Sequence, residues 1–277
     1  MKRFEQKIKS KIKDINKKTG IPINQLLNTL VLERFLVRVS LSQYKEKLIF
    51  KGGLCLARLL PLNRETKDID FLMREIQTNK ESIKKVFEEI SETSLNDGFK
   101  FSKVDVKELL GDHKKYPGYR VSITATCGQI NHKIGIDIGL GDIVIPRLLE
   151  VELMRDEEPI FEDSIELTSY STEYIFSEKL ETIIFLGEAS SRMKDFYDTY
   201  ALVEAGKLNI ERLKIAIKET FENRNTNYNL IPITPDYIDA LAPSWIAFLK
   251  KNILIKNKLE LKEVILVINK FLSVISE

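Results

Sequence analysis

The 277-residue sequence predicts an α+β protein: a mixed β-sheet flanked by helices, followed by a helical C-terminal region. Three observations carry this expectation. Apolar residues recur at helical spacing up to Val39 and again from about residue 172 onward. Between these regions, residues 99 to 106, 119 to 126 and 130 to 138 alternate with the period of two that a half-buried strand requires. Finally, Phe50 to Phe71 places a glycine pair, a short apolar helix-like run and an Asp-x-Asp in succession. The expected organisation is a sheet-bearing domain with N-terminal helices over 1–170 and a helical domain over 171–277.

At the N-terminus, Phe4, Ile8, Ile12 and Ile15 make one apolar stripe on a lysine-rich helix, which Thr19-Gly20-Ile21-Pro22 ends. Its lysines read as a solvated face, with contact to an RNA backbone as the minority alternative. A second helix runs from about Asn24 to Val39, with Leu26, Leu27, Leu30, Val31 and Phe35 on one side. Neither helix carries an obvious chemical group.

In the stretch that follows, Gly52-Gly53 can bring backbone N–H groups close to a phosphate. If Ile69-Asp70-Phe71 is a strand, Asp68 and Asp70 share one face and Ile69 and Phe71 the other. Adjacent carboxylates repel unless a cation lies between them, and oxygen-only ligation suits Mg²⁺ together with substrate phosphates. A further helix is marked by Ile83, Val86, Phe87 and Ile90. In the run from Ile130 to Ile138, the isoleucines and His132 take one face, leaving Asn131, Lys133, Gly135 and Asp137 on the other. Three carboxylates, Asp68, Asp70 and Asp137, are thereby expected to meet.

Beyond Thr172 the chain reads as helices. The first carries Glu178, Lys179 and Glu181; after a break at Gly187 to Ser191, another opens at Arg192. Segments near 208–222, 235–251 and 258–275 are amphipathic, the second with Thr234-Pro235 as cap and first residue. Trp245 and Phe248 read as core.

Composition narrows the function classes. A formal net charge of +2 gives no global argument for nucleic acid binding. No apolar run reaches the roughly 18 residues of a membrane span, and the first residues lack a signal peptide's apolar core, so a cytoplasmic protein without membrane contact is expected. Cys55 and Cys127 have no zinc-binding or disulfide context, and Cys55 reads as a buried thiol. His132 falls on an apolar face, and with His113 it completes the histidines, which disfavours a zinc hydrolase. No GxxxxGK[ST] occurs.

Five motifs in order, Lys51-Gly52-Gly53-Leu54-x-Leu56, Arg64-x-Thr66-x-Asp68-Ile69-Asp70-Phe71, Ile136-Asp137-Ile138-Gly139-x-Gly141-Asp142, Glu178-Lys179-Leu180 and Arg192-x-Lys194-Asp195-Phe196-Tyr197-Asp198, resemble the AbiEii/AbiGii nucleotidyltransferase-like toxins. The resemblance spans about residues 20 to 205. It implies a DNA polymerase β-type nucleotidyltransferase fold whose helical C-terminal domain contributes active-site residues. It also implies an abortive-infection toxin of a type IV toxin–antitoxin system, acting in phage defence, with an antitoxin from a neighbouring gene.

Residue by residue, the resemblance implies that Gly52 and Gly53 hold the triphosphate of an NTP and that Asp68, Asp70 and Asp137 bind Mg²⁺ or Mn²⁺. Lys179 would neutralise phosphate charge during transfer. Asp195, or Asp198, would orient Lys179 or a base, and Arg64, Arg192 and Asp198 are further candidates for nucleotide contact. The implied acceptor is an RNA 3′ end such as tRNA. The alternatives are transfer to a protein or small molecule, or nucleotide binding without turnover. One departure is that Gly53-Leu54 stands where many polymerase β-type transferases carry a phosphate-contacting serine. Singly, each motif has an ordinary structural explanation, a turn, a surface acid or a charged helix face; their order is what favours the functional reading.

Overall fold

The computed structural model describes residues 2–62, 64–109, 118–152, 160–161, 164–227, 235–252, 255 and 259–276. His113 and the helix cap expected at Thr234 lie outside them. The chain forms two compact units, one of Met1–Arg58, Thr66–Gly141 and Pro146–Ser169, the other of Leu59–Glu65, Asp142–Ile145 and Tyr170–Glu277. No helix among the described residues is long and apolar enough to cross a membrane.

The first unit opens with α1 (Lys2–Thr19) and α2 (Ile23–Leu41). Ile8, Ile12 and Ile15 are buried as their spacing requires, and Gly20 turns the chain at φ +74°. Burial along α2 extends past its apolar stripe to Glu33, Arg34 and Arg38. These charges are paired: Arg34 Nε donates to Asp97 Oδ2 at 2.8 Å, Arg38 donates to both Asp97 oxygens at 2.9 and 3.1 Å, and Arg58 Nη2 meets Glu33 at 2.5 Å. The guanidinium carbons of Arg34 and Arg38 also lie 4.4 and 4.6 Å from the ring centroids of Phe161 and Phe101. A helix with no obvious chemical group in its sequence therefore holds a buried ionic clamp.

Next come β1 (Leu48–Lys51), α3 (Gly52–Leu59), β2 (Asp68–Met73), α4 (Lys80–Glu92), β3 (Lys100–Leu109), β4 (Gly118–Cys127) and β5 (Ile130–Gly139). Asn79 caps α4, its side chain accepting from Ser82 N–H at 2.8 Å. Two further strands, β6 (Arg147–Glu152) and β7 (Ser164–Ser169), complete a seven-stranded mixed sheet of order β3-β4-β5-β2-β1-β7-β6. The sequence pattern predicts no element between residues 139 and 172. β6 lies at the sheet edge with Leu148 exposed on one face and Val151 buried on the other, while β7 alternates buried Ile165 and Leu167 with exposed Ser164 and Glu166.

Two pairings matter for the site. β2 runs parallel to β5, with Asp68 opposite Gly135 and Asp70 opposite Asp137. β4 runs antiparallel to β5 on its other side, with Arg120 opposite Asp137 and Ser122 opposite Gly135. Ile134, Ile136 and Ile138 are buried. His132 is half-buried and within 2.9 Å of Asn28 Oδ1, and burial lowers its pKa, as suits a core imidazole. Cys55 and Cys127 are buried free thiols.

The second unit contains α5 (Thr172–Leu186), a 3₁₀ turn at Gly187–Ala189, α6 (Met193–Glu204), α7 (Ile210–Arg224), α8 (Pro235–Lys251) and α9 (Leu261–Ser276). α5 packs on α6 and α7, and α9 packs on α6 and α8. Phe176, Leu180, Phe196, Ile217, Phe221 and Val264 fill this core. Trp245 is buried and donates its indole N–H to the Leu259 carbonyl at 2.8 Å, the partner a buried indole needs.

Candidate active site

The acid cluster of the first unit follows from strand period and register. Asp68 and Asp70 alternate with buried Ile69 and Phe71 on β2, so both point to the polar face. The register sets Asp70 beside Asp137, and all three carboxylates share that face. Immediately after β1, Gly52 opens α3 with φ +72°, and a Cβ there would lie 2.0 Å from Asp70 Oδ2. Glycine is thus required twice, by the left-handed backbone and by the Asp70 carboxylate lying against it. Gly53 follows in the first turn of the helix.

A residue not singled out from the sequence stands among these acids. Arg120 donates from Nη2 to Asp68 Oδ1 at 2.6 Å and from Nη1 to Asp137 Oδ2 at 2.8 Å. Burial disfavours its charge, but Asp137 and Asp68 outweigh that and raise its pKa. The alternation of β4, with Val121 and Ile123 inward, already puts Arg120 on a polar face. Which polar face it meets depends on strand register, which the sequence does not encode locally.

Asp68, Asp70 and Asp137 supply only carboxylate oxygen, the donor type that hard divalent cations prefer. Asp137 Oδ1 is buried without a hydrogen-bond partner among the described residues, an oxygen suited to a cation. By donor type and shared face the three acids fit such an ion. Their present spacing is another matter, since among the described residues no group of three or more His, Cys, Asp or Glu side chains is arranged to hold a metal ion.

The second unit holds the remaining candidates in one chain of alternating charge, buried except at Arg192. Arg64 grips Asp198 through Nε and Nη2, both at 2.6 Å. Lys179 Nζ lies 2.7 Å from Asp198 Oδ2 and 2.8 Å from Asp195 Oδ1, and Arg192 Nε lies 2.7 Å from Asp195 Oδ2. Burial opposes the charge of Lys179, but Asp195 and Asp198 outweigh it and raise its pKa. Burial likewise opposes ionisation of Asp195, yet Lys179 and Arg192 hold its carboxyl down at about 2. Both acids expected near Lys179, Asp195 and Asp198, lie within ion-pair distance of it. Arg64, expected at a phosphate, directs its guanidinium to Asp198, whereas the Arg192 side chain is 49% exposed.

A second cluster in this unit is also absent from the sequence reading. Arg224, at the end of α7, pairs with Asp142 at 3.0 Å, Glu178 at 3.2 Å and Glu181 at 2.8 Å, and Thr226 Oγ1 donates to Glu181 at 2.5 Å. Glu178, on the same helix as Lys179, is thereby tied to the end of α7.

A strand running through a glycine turn into a helix, followed by an acid-bearing strand whose parallel neighbour supplies another carboxylate, is the arrangement of a nucleotidyltransferase-like fold. Solved structures agree. JHP933 from Helicobacter pylori superposes with TM-score 0.52 at 14% identity, covering 91% of this chain and 91% of its own. A second H. pylori structure, bearing a provisional nucleotidyltransferase description, gives TM-score 0.51 at 16% identity over 90% of this chain and 93% of its own. At such identities the likeness is one of fold. The family described as nucleotidyl transferase AbiEii toxin of the type IV TA system matches residues 34–260, and this chain belongs to it. Membership makes the chain a nucleotidyltransferase of toxin type, with an NTP as substrate and an antitoxin as partner. No curated protein matches the chain.

Proposed function

We propose that this protein is a Mg²⁺-dependent toxin of the cytoplasm that transfers an NMP from an NTP to the 3′ end of an RNA such as tRNA, arresting growth in an abortive-infection response to phage. One observation carries the metal-dependent part of the reading: Asp70 lies beside Asp137 in register, with Asp68 on the same face and Gly52 against Asp70. The RNA acceptor and the defence role rest on the resemblance.

Asp68, Asp70 and Asp137 would hold the ion, which when bound stabilises charge on the attacking and leaving oxygens. Asp137 would also accept the proton of the incoming hydroxyl. With no serine at position 53, the phosphates are gripped by the backbone amides of Gly52 and Gly53. Lys179 would offset phosphate charge; its pairing with Asp195 and Asp198, which keeps it ionised, supports that task. Arg192, half-exposed at one end of the same chain of charges, would add a phosphate donor.

The test is incubation of purified protein with total RNA and each α-labelled NTP. Label should enter RNA and be lost by at least about a hundredfold in Asp70→Ala. Label in protein instead would redirect the acceptor, and no transfer to any acceptor refutes the reading. A second reading, nucleotide binding without turnover, draws on the ion pairs that hold Arg120 across Asp68 and Asp137. Calorimetric NTP affinity with no transfer to any acceptor would select it.

A further inference from the structure

On the polar face of the sheet, the acids and Arg120 form two rows. Arg120, Asp137 and Asp70 lie in one row across β4, β5 and β2, and Ser122, Gly135 and Asp68 lie in the next. Arg120 does more than pair with its neighbour Asp137. Its guanidinium crosses diagonally to the second row and reaches Asp68 at 2.6 Å. The crossing runs directly over Gly135, where a Cβ would lie 2.2 Å from Arg120 Nη2 and 2.5 Å from its Cζ. A larger residue at 135 would force the guanidinium off this path. Gly135 has no positive φ that would itself demand glycine, so the room it leaves for Arg120 is its evident structural effect.

We propose that Arg120 is a positioning residue that competes with the divalent cation for Asp68 and Asp137. This rests on the metal-dependent reading above. In nucleotide-free protein the guanidinium offsets half of the charge of the two acids and reduces their repulsion. When the ion arrives with the triphosphate, Arg120 leaves Gly135 and yields both carboxylates. The ion alone therefore binds weakly and the ion with nucleotide binds well, which couples filling of the metal site to the presence of substrate.

The test uses Mn²⁺ as probe, with the free-ion EPR signal as readout on the full chain without nucleotide. Arg120→Gln removes the competing charge; Gly135→Ala retains every charge but obstructs the guanidinium. Both should bind Mn²⁺ about tenfold more tightly than the parent, the scale expected for releasing two part-exposed ion pairs. A merely structural role predicts the opposite, because a disturbed fold weakens binding. Unchanged or weaker Mn²⁺ binding in both variants overturns the proposal while leaving the metal-dependent reading intact. Absence of Mn²⁺ binding in all three proteins, even with a non-hydrolysable NTP analogue, overturns both.

Discussion

Asp195→Asn keeps the side-chain size and removes the charge that joins Lys179 to Arg192. Asp195 is 2% exposed, and its neighbours hold its carboxyl at about 2 against an ordinary 3.8. The difference corresponds to about 2 kcal/mol in favour of the ionised form in the folded protein. Because the folded value is the lower one, this stability is present above the ordinary pKa and is lost as pH falls through the folded one. At pH 7 the variant should therefore be less stable by about 2 kcal/mol, and the gap should narrow from about pH 5 towards pH 2. It stays below the roughly 3–5 kcal/mol of a stranded buried ion, because Lys179 keeps Asp198 at 2.7 Å. Trp245, the only tryptophan, is buried in the same unit, so its fluorescence reports unfolding where the substitution acts. In urea, 2 kcal/mol moves the midpoint by about 1 M. Midpoints within about 0.2 M of each other at pH 7, or an unchanged gap at pH 3, would refute the reasoning.

Asp97→Ala strands the buried guanidinium groups of Arg34 and Arg38, so denaturation followed by circular dichroism should register a loss of about 3–5 kcal/mol. Gly52→Ala must adopt φ +72° and displace the Asp70 carboxylate; a stability loss of about 1–2 kcal/mol should accompany a larger fall in NMP transfer. Arg120→Lys loses the planar fork that spans Asp68 and Asp137, and Mn²⁺ titration should place it between the parent and Arg120→Gln. Burial pushes the Cys55 thiol up to about 12, and Cys127 is 1% exposed, so a thiol reagent at pH 8 should label neither until denaturant is added.

Much of the acid cluster was legible because its ingredients are local. The period of two assigns Asp68, Asp70 and Asp137 to polar faces wherever their strands lie, and the order of motifs points to the family. Gly52 was legible as a special glycine, but its contact with Asp70 was not. Other residues gave no usable signal. Arg34 and Arg38 sit in a helix where charges ordinarily face solvent, and their partner Asp97 is 63 and 59 residues away. Arg64 matched a phosphate-contact motif, while the carboxylate it grips is 134 positions distant.

By itself the sequence determined the α+β class, the helices, strands β3, β4 and β5, and the faces of Asp68, Asp70 and Asp137, because dihedral period and capping act over a few residues. Tertiary structure alone decided three further things: that Asp137 lies beside Asp70, that Arg120 crosses Gly135 to Asp68, and that Lys179 is caught between Asp195 and Asp198. Those are matters of register and burial between distant segments. A slip of one residue in the pairing of β4 with β5 would turn Arg120 to the opposite face, so the chemistry of this face depends on a pairing that no local pattern encodes.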